Sequence, residues 1–153
     1  QMILKTNIGP VSLGYIGANM MCEFGRIAVG KEPAKKLAQQ LSDYFNGKKV
    51  QRFTIETPSS SPFKQQCWEA CRNIPYGKTI SYKELATLAG SPKAARAAGQ
   101  AMRTNPIAIL TPCHRVLSSS GQLHGYAGQT SPKSIELKRK HFLLELEQRT
   151  IRP

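Results

Sequence analysis

A capping box, a glycine stop and a proline start, spaced along Ser81 to Arg103, restrict the fold of this chain more than any other feature, because together they dictate two short helices joined by a tight turn. In Ser81-Tyr-Lys-Glu84 the serine hydroxyl can accept from the amide three residues on while Glu84 reaches back to the serine amide. Tyr82, Leu85, Ala86 and Ala89 then recur at the spacing of one helical face. Gly90 ends that helix, Ser91 caps the next and Pro92 takes its first position, so the pair reads as a helix-turn-helix. The second helix, Pro92 to about Arg103, is built from Ala94, Ala95, Ala97, Ala98, Gly99 and Ala101. Small side chains let a helix approach a groove closely but lack donors for reading base edges, so docking is expected to be tight and indifferent to base sequence. Arg96, Gln100 and Arg103 fall on one polar stripe suited to backbone or base-stack contacts. A buried alanine helix would account for Ala95, Ala98 and Met102 but not for the arginines.

Charge supports a polyanionic partner. Twenty-two Lys and Arg against nine acids leave a net +13. Fourteen of the bases lie in residues 62–153, and no carboxylate occurs from Leu85 to Ile135. A stretch of one sign this long favours phosphate contacts over an ordinary solvated face.

The rest of the chain reads as a small α+β protein of 153 residues. Met2 to Thr6, Pro10 to Ile16 and Met20 to Val29 are expected strands, separated by Gly-containing turns. A helix follows with Pro33 at its first position, Leu37, Leu41 and Tyr44 on its apolar side and Asn46-Gly47 at its end. The expected division is an N-terminal α/β lobe over 1–57, a Ser/Pro-rich linker over 58–62 and a C-terminal domain over 63–153. Pro62 to about Asn73 and Lys133 to Gln148 are expected helices, the latter with Ile135, Leu137, Phe142, Leu143 and Leu146 on its apolar face. No run approaches a membrane span, and no charged segment with an apolar core and cleavage site opens the chain. Gln1 ahead of Met2 reads as a processing remnant, and the protein is expected to be soluble and intracellular, in the nucleus of a eukaryote or the cytoplasm of a prokaryote. Cys22, Cys67, Cys71 and Cys113 do not form a disulfide framework in that setting, and Cys67 and Cys71 are expected to pack in the core.

The chemistry concentrates in Ile107-Ala-Ile-Leu-Thr-Pro-Cys113-His114-Arg115-Val116, where an apolar run delivers one cysteine between a proline and a histidine. A reactive thiol needs its thiolate, and a neighbouring base or positive field is the usual means of producing it. Adjacent residues seldom point the same way, so His114 is better placed to act through a bridging water than by contact.

Pro-Cys-His-Arg-Val resembles the acceptor motif of the O6-alkylguanine-DNA alkyltransferases. The similarity runs from about Phe63 to Gly128 through Ile74-Pro-Tyr-Gly-Lys, Ile80-Ser-Tyr-Lys-Glu-Leu-Ala, Ala94-Ala-Arg-Ala-Ala-Gly and Met102-Arg-Thr-Asn-Pro. The resemblance implies a ribonuclease H-like N-terminal lobe and a C-terminal lobe whose helix-turn-helix accompanies the active cysteine. It implies a DNA repair methyltransferase that flips O6-alkylguanine out of duplex DNA and carries the alkyl group irreversibly on Cys113. His114 would be the base and Glu147 its orienter, with Glu145 as competitor. Arg96 would fill the vacated stack and Tyr82 would turn the 3′ phosphate, with Ala94, Ala95, Gly99, Gln100, Arg103 and Arg115 as further DNA contacts. Tyr126, Ala127, Gly128 and Val116 would line the base pocket, and Asn105 would act as a structural hinge.

Some alkyltransferases hold a structural zinc in the N-terminal part, but with no histidine before 114 and one cysteine before 67 no metal is expected here. No cofactor, no membrane and no obligate protein partner is expected, and the family precedent is a monomer. Two departures stand out: Gln129 replaces a second glycine after Gly128, and Gln129-Thr-Ser-Pro-Lys-Ser-Ile precedes the last helix as additional residues. Two other functions compete. A non-catalytic helix-turn-helix protein that binds lesions would need no Cys113, and a cysteine hydrolase would need no Ala-rich, acid-free helix.

Overall fold

A computed structural model describes residues 2–27, 29–118 and 134–152, the Met2 side chain excepted. The chain opens with β1 (Met2–Thr6), β2 (Gly9–Ile16) and β3 (Asn19–Phe24), an antiparallel sheet in the order β1-β2-β3 with Leu4 opposite Val11 and Leu13 opposite Cys22. β3 stops at Phe24 rather than running to Val29, because the Ser12 hydroxyl donates to the Gly25 carbonyl at 2.6 Å and accepts from the Ile27 amide at 2.9 Å. Those two bonds peel the backbone off the ladder. α1 (Lys35–Phe45) starts two residues later than Pro33 suggests, since Ala34 is extended with ψ 143°. Its Leu37, Leu41 and Tyr44 join Val11, Leu13 and Cys22 of the sheet in one buried cluster.

Residues 56–61 have no regular structure and lead into α2 (Pro62–Arg72), which opens on its proline. Cys67, Trp68 and Cys71 are its buried side, and Trp68 Nε1 donates to the Ala101 carbonyl at 2.8 Å. α3 (Tyr82–Leu88) carries the full capping box between Ser81 and Glu84. It ends as a Schellman motif: Gly90, at φ +87°, donates to the Thr87 carbonyl, and the Ser91 amide returns to the Ala86 carbonyl at 2.9 Å. The next helix, α4 (Ala95–Arg103), therefore begins later than Pro92. The Ser91 amide is engaged in stopping α3, and the Ala94 amide closes a turn on the Ser91 carbonyl at 2.9 Å, which leaves Ala94 as the N-cap.

Two short strands, β4 (Ile80–Ser81) and β5 (Val116–Leu117), pair in parallel and tie the residues after Cys113 to the start of the helix pair. The last helix, α5 (Ile135–Ile151), is capped by the Ser134 hydroxyl, which accepts from the Leu137 amide. Leu137, Leu143 and Leu146 are buried, whereas Ile135, expected on the same face, is 54% exposed at the first position of the helix. The architecture is mixed α+β with an antiparallel sheet, as the sequence pattern implies. Among the described residues no helix is long and apolar enough to cross a membrane.

Candidate active site

Between α4 and Cys113 the backbone forms a strap braced from both sides. Asn105 Nδ2 donates to the Thr111 carbonyl at 2.8 Å while its Oδ1 accepts from the Ile107 amide at 3.0 Å. From the sheet, the Cys22 amide donates to the Pro106 carbonyl at 3.1 Å, and the Cys22 carbonyl accepts from the Ala108 amide at 3.0 Å. Within the strap Ile109 is buried with φ +74°, a left-handed conformation that strains a β-branched residue by roughly 1–3 kcal/mol. The Thr111 amide bond to the Ile107 carbonyl at 2.9 Å closes the turn around it. Cys113 then begins a single 3₁₀ turn, Cys113–Arg115, with 7% of its surface exposed.

Behind Cys113 lies a buried ionic cluster centred on Glu147 of α5. Its Oε2 sits 2.5 Å from His114 Nε2 and 2.6 Å from the Tyr44 hydroxyl; its Oε1 accepts from the Gly77 amide at 3.0 Å. Arg115 grips both oxygens, through Nε to Oε1 at 2.8 Å and Nη2 to Oε2 at 3.1 Å, and its Nη1 donates to the Ile74 carbonyl at 2.9 Å. Burial alone would push the Glu147 carboxyl up, but His114 and Arg115 together hold it well below the usual carboxylate range. An ionised carboxylate only accepts, so the imidazole proton of His114 lies on Nε2. Nδ1 is then the lone-pair nitrogen, and it is buried with no hydrogen-bond partner among the described residues. Burial depresses the His114 pKa, with Glu147 opposing, so the ring is neutral and Nδ1 is free to take a proton.

Two further groups face Cys113. Lys140 of α5 is fully buried, donates to the Val116 carbonyl at 2.9 Å and is pushed down to about 8 by burial, partly offset by Cys113 and Cys71. Tyr82, at the start of α3, is pushed up to about 12 by burial, with Cys113 next in effect. A cavity of about 310 Å³ opens beside Cys113, walled by Met102 and Arg103 of α4, Asn105, Phe24 of β3 and Arg139 of α5. On α4 the side chains of Arg96, Gln100 and Arg103 are exposed, while Ala98, Ala101 and Met102 are buried; Ala94, Ala95 and Gly99 lie between. Gly99 turns toward α3, where an added Cβ would stand 3.9 Å from the Tyr82 ring.

A cysteine beside a carboxylate-held neutral histidine, adjoining an exposed basic helix, is the arrangement of a nucleophile presented to a polyanion. The family model for the 6-O-methylguanine DNA methyltransferase DNA-binding domain matches residues 62–149. The chain belongs to this methyltransferase family. It is 44% identical over 119 residues to the methylated-DNA–protein-cysteine methyltransferase of Methanosarcina barkeri, covering 77% of this chain and 70% of that protein. With the Methanosarcina acetivorans protein of the same name it shares 38% identity over 157 residues, covering 95% of this chain and 96% of the relative. Among solved structures, the Mycobacterium tuberculosis OGT in complex with DNA superposes with a TM-score of 0.79 at 36% identity, covering 97% of this chain and 92% of that one.

Several expectations drawn from this methyltransferase's sequence meet a different geometry. Arg115 is not on a DNA-facing surface: it is 2% exposed, and its guanidinium is engaged by Glu147 and the Ile74 carbonyl. The Val116 side chain is fully buried and its carbonyl is taken by Lys140, so Val116 is part of the β4–β5 pairing rather than an open pocket wall. Glu147, not Glu145, reaches His114; Glu145 is 44% exposed and stands 3.9 Å from Arg152. Tyr126, Ala127 and Gly128, and the additional residues from Gln129 to Lys133, lie outside the described residues. Tyr44, Gly77 and Lys140 escape a sequence reading. Tyr44 continues the apolar spacing of Leu37 and Leu41, and Lys140 looks like one more base in a basic helix. Gly77, at φ +80°, offers the one legible signal, a turn glycine between two helices.

Proposed function

We propose that this methyltransferase repairs O6-alkylguanine in double-stranded DNA by a single irreversible transfer to Cys113, and the observation that carries the residue roles is a neutral His114 whose Nε2 is fixed by Glu147 and whose Nδ1 has no partner among the described residues. A stacked base cannot bring its O6 substituent to a protein thiol, so the nucleotide leaves the helix at a cost of about a few kcal/mol. Arg96 on the exposed face of α4 takes the vacated place, Tyr82 turns the 3′ phosphate, and Gln100 and Arg103 hold the backbone. Ala94, Ala95 and Gly99 keep the helix close to the groove. The family resemblance assigns Tyr126, Ala127 and Gly128 to recognition of the extruded base.

Cys113 gives its proton to His114 Nδ1 through a bridging water as Sγ attacks the alkyl carbon. The sulfur–carbon bond forms while the carbon–O6 bond breaks and its electron pair returns to the purine; the guanine anion takes a proton at N1 from water and His114 gives the Cys113 proton back to water, so the thiol hydrogen is the one that guanine gains in balance. Glu147 keeps the Nε2 proton in place throughout, the orienter role of a nucleophile-base-carboxylate relay. Every atom and electron is accounted for without a cofactor. The product thioether has no acyl carbon for water to attack, so one molecule repairs one base. The protein acts as a monomer with no obligate protein partner, in whichever compartment holds the DNA, nucleus or undivided cytoplasm.

The test is mass spectrometry after mixing with duplex carrying O6-methylguanine. The expected result is one methyl gained on the peptide holding Cys113 with stoichiometric loss of the lesion, and none with Cys113→Ala, which still binds the duplex. Binding without an adduct, or repeated release of product, overturns the proposal.

A further inference from the structure

Besides His114, Arg115 and the Gly77 amide, Glu147 is bonded by a residue of the N-terminal part of the chain. Tyr44, in the last turn of α1, is fully buried, and its hydroxyl donates to the same Oε2 that holds His114. The hydroxyl oxygen also stands 3.4 Å from His114 Nε2, and the tyrosine and histidine rings meet edge to face with centroids 6.5 Å apart. The Tyr44 ring is held independently by Phe45, Phe53 and Tyr76 at centroid distances of 5.4, 6.1 and 6.1 Å. A buried tyrosine needs some acceptor, and a backbone carbonyl would serve. Here the acceptor is a carboxylate already bonded by Arg115, His114 and the Gly77 amide.

Resting on the function proposed above, we propose that Tyr44 is a positioning residue of the alkyl-transfer relay: by sharing Glu147 Oε2 with His114, its hydroxyl limits the charge that reaches the imidazole and keeps Nδ1 available as a base. A carboxylate oxygen divided between two donors stabilises an imidazolium less than one devoted to it, so the neutral ring gains. Among the described residues, the charged and titratable groups facing this pair are Arg115 from the 3₁₀ turn, Tyr76 from the segment after α2, and Lys140 and Glu147 from α5. Arg115 and Lys140 also disfavour the imidazolium, and Tyr44 acts in the same direction without carrying charge. Because Tyr44 precedes residue 62, it lies outside the span matched by the DNA-binding family model, and the relay is completed by the N-terminal part of the chain.

Tyr44→Phe keeps the ring contacts and deletes the hydroxyl. Two readouts follow it in the full-length protein: the His114 titration by imidazole NMR, and the pH dependence of single-turnover methyl transfer from O6-methylguanine duplex. The expected result is a His114 midpoint raised by about 0.5–1 pH unit and the acid limb of the rate profile moved by the same amount, roughly three- to tenfold slower transfer on that limb and convergence with wild type at higher pH. If Tyr44→Phe does not fold, 3-fluorotyrosine placed at position 44 in the otherwise unaltered protein, a stronger donor, is expected to move the midpoint down. A midpoint that stays put in whichever protein folds overturns the Tyr44 role, as does a rate lowered equally at every pH. Absence of transfer by the wild type would instead overturn the function it rests on, and the NMR midpoint still decides the Tyr44–His114 coupling.

Discussion

Replacing Glu147 with glutamine tests the centre of the site, because the change is nearly isosteric and its consequences can be counted. The carboxylate, 1% exposed, accepts from Arg115 through two nitrogens and from His114, Tyr44 and the Gly77 amide. An amide offers one accepting oxygen, and its NH2 must face donors whichever way it is turned. It also leaves the Arg115 charge buried without a counter-ion. Breaking one partner of a buried pair costs about 3–5 kcal/mol. For a chain of this size each kcal/mol lowers Tm by roughly 2–4 °C, so the expected fall is roughly 6–20 °C. Thermal unfolding followed by circular dichroism at pH 7 reads it directly, and single-turnover transfer should slow by roughly 100-fold or more as His114 loses its orienter. Glu145→Gln is the control: with 44% exposure and a 3.9 Å contact to Arg152, its effect should stay within about 1 kcal/mol. A Glu147→Gln protein that melts within a degree or two of wild type and transfers at the wild-type rate would refute this reasoning, and a larger loss from Glu145→Gln would move the role to that residue.

Arg96→Ala should slow transfer from duplex DNA roughly tenfold or more while leaving reaction with free O6-methylguanine base within about twofold, since only the duplex has a stack to refill; equal losses on both substrates would contradict the assignment. Gly77→Ala forces a Cβ into a φ of +80° and to 2.7 Å from Ile151 Cδ1, so chemical denaturation should show about 1–3 kcal/mol of lost stability. Acid should destabilise the fold in two stages. His114 and Glu147 both have folded pKa values below their ordinary 6.5 and 4.5, so the stability they contribute is complete above those values and is lost as protons bind the unfolded chain first. A Tm series should decline below about pH 6.5 and more steeply below about 4.5, with the second stage weakened in Glu147→Gln.

Local signals were legible where one residue settles a backbone question. The capping box at Ser81, the proline opening α2 and the apolar spacing of α1 all map onto observed helices. The start of α4 was not, because Ser91 and Pro92 can open one helix or finish another, and the Schellman bonds of Gly90 and Ser91 decide for the second. The end of β3 depended on Ser12, thirteen residues upstream of the Gly25 carbonyl it bonds, which no local pattern encodes. In the site, Cys113 and His114 stand out by residue type, whereas Glu147 comes from the family resemblance with Glu145 as its competitor, and only the 2.5 Å contact to His114 separates the two. Tyr44 and Arg115 could not be assigned their places: a tyrosine on an apolar stripe and an arginine in a basic segment have commoner uses, and only long-range packing brings both onto the same carboxylate.

The burial of Arg115 also explains why the interior can hold this much charge and still keep a usable base. A lone carboxylate 2.5 Å from a buried imidazole would draw a proton onto it, giving an ion pair and leaving no lone pair for the proton transfer proposed from Cys113. Arg115 supplies the counter-charge to both Glu147 oxygens, so the Glu147–Arg115 pair is neutral as a unit. Lys140, on the other side, further disfavours a second positive charge at His114. The histidine can then be held by Glu147 without being charged by it, which is what the proposed proton acceptance at Nδ1 requires. An arginine in this turn that faced phosphate would leave that balance undone, so the same residue cannot serve the DNA surface and the relay at once.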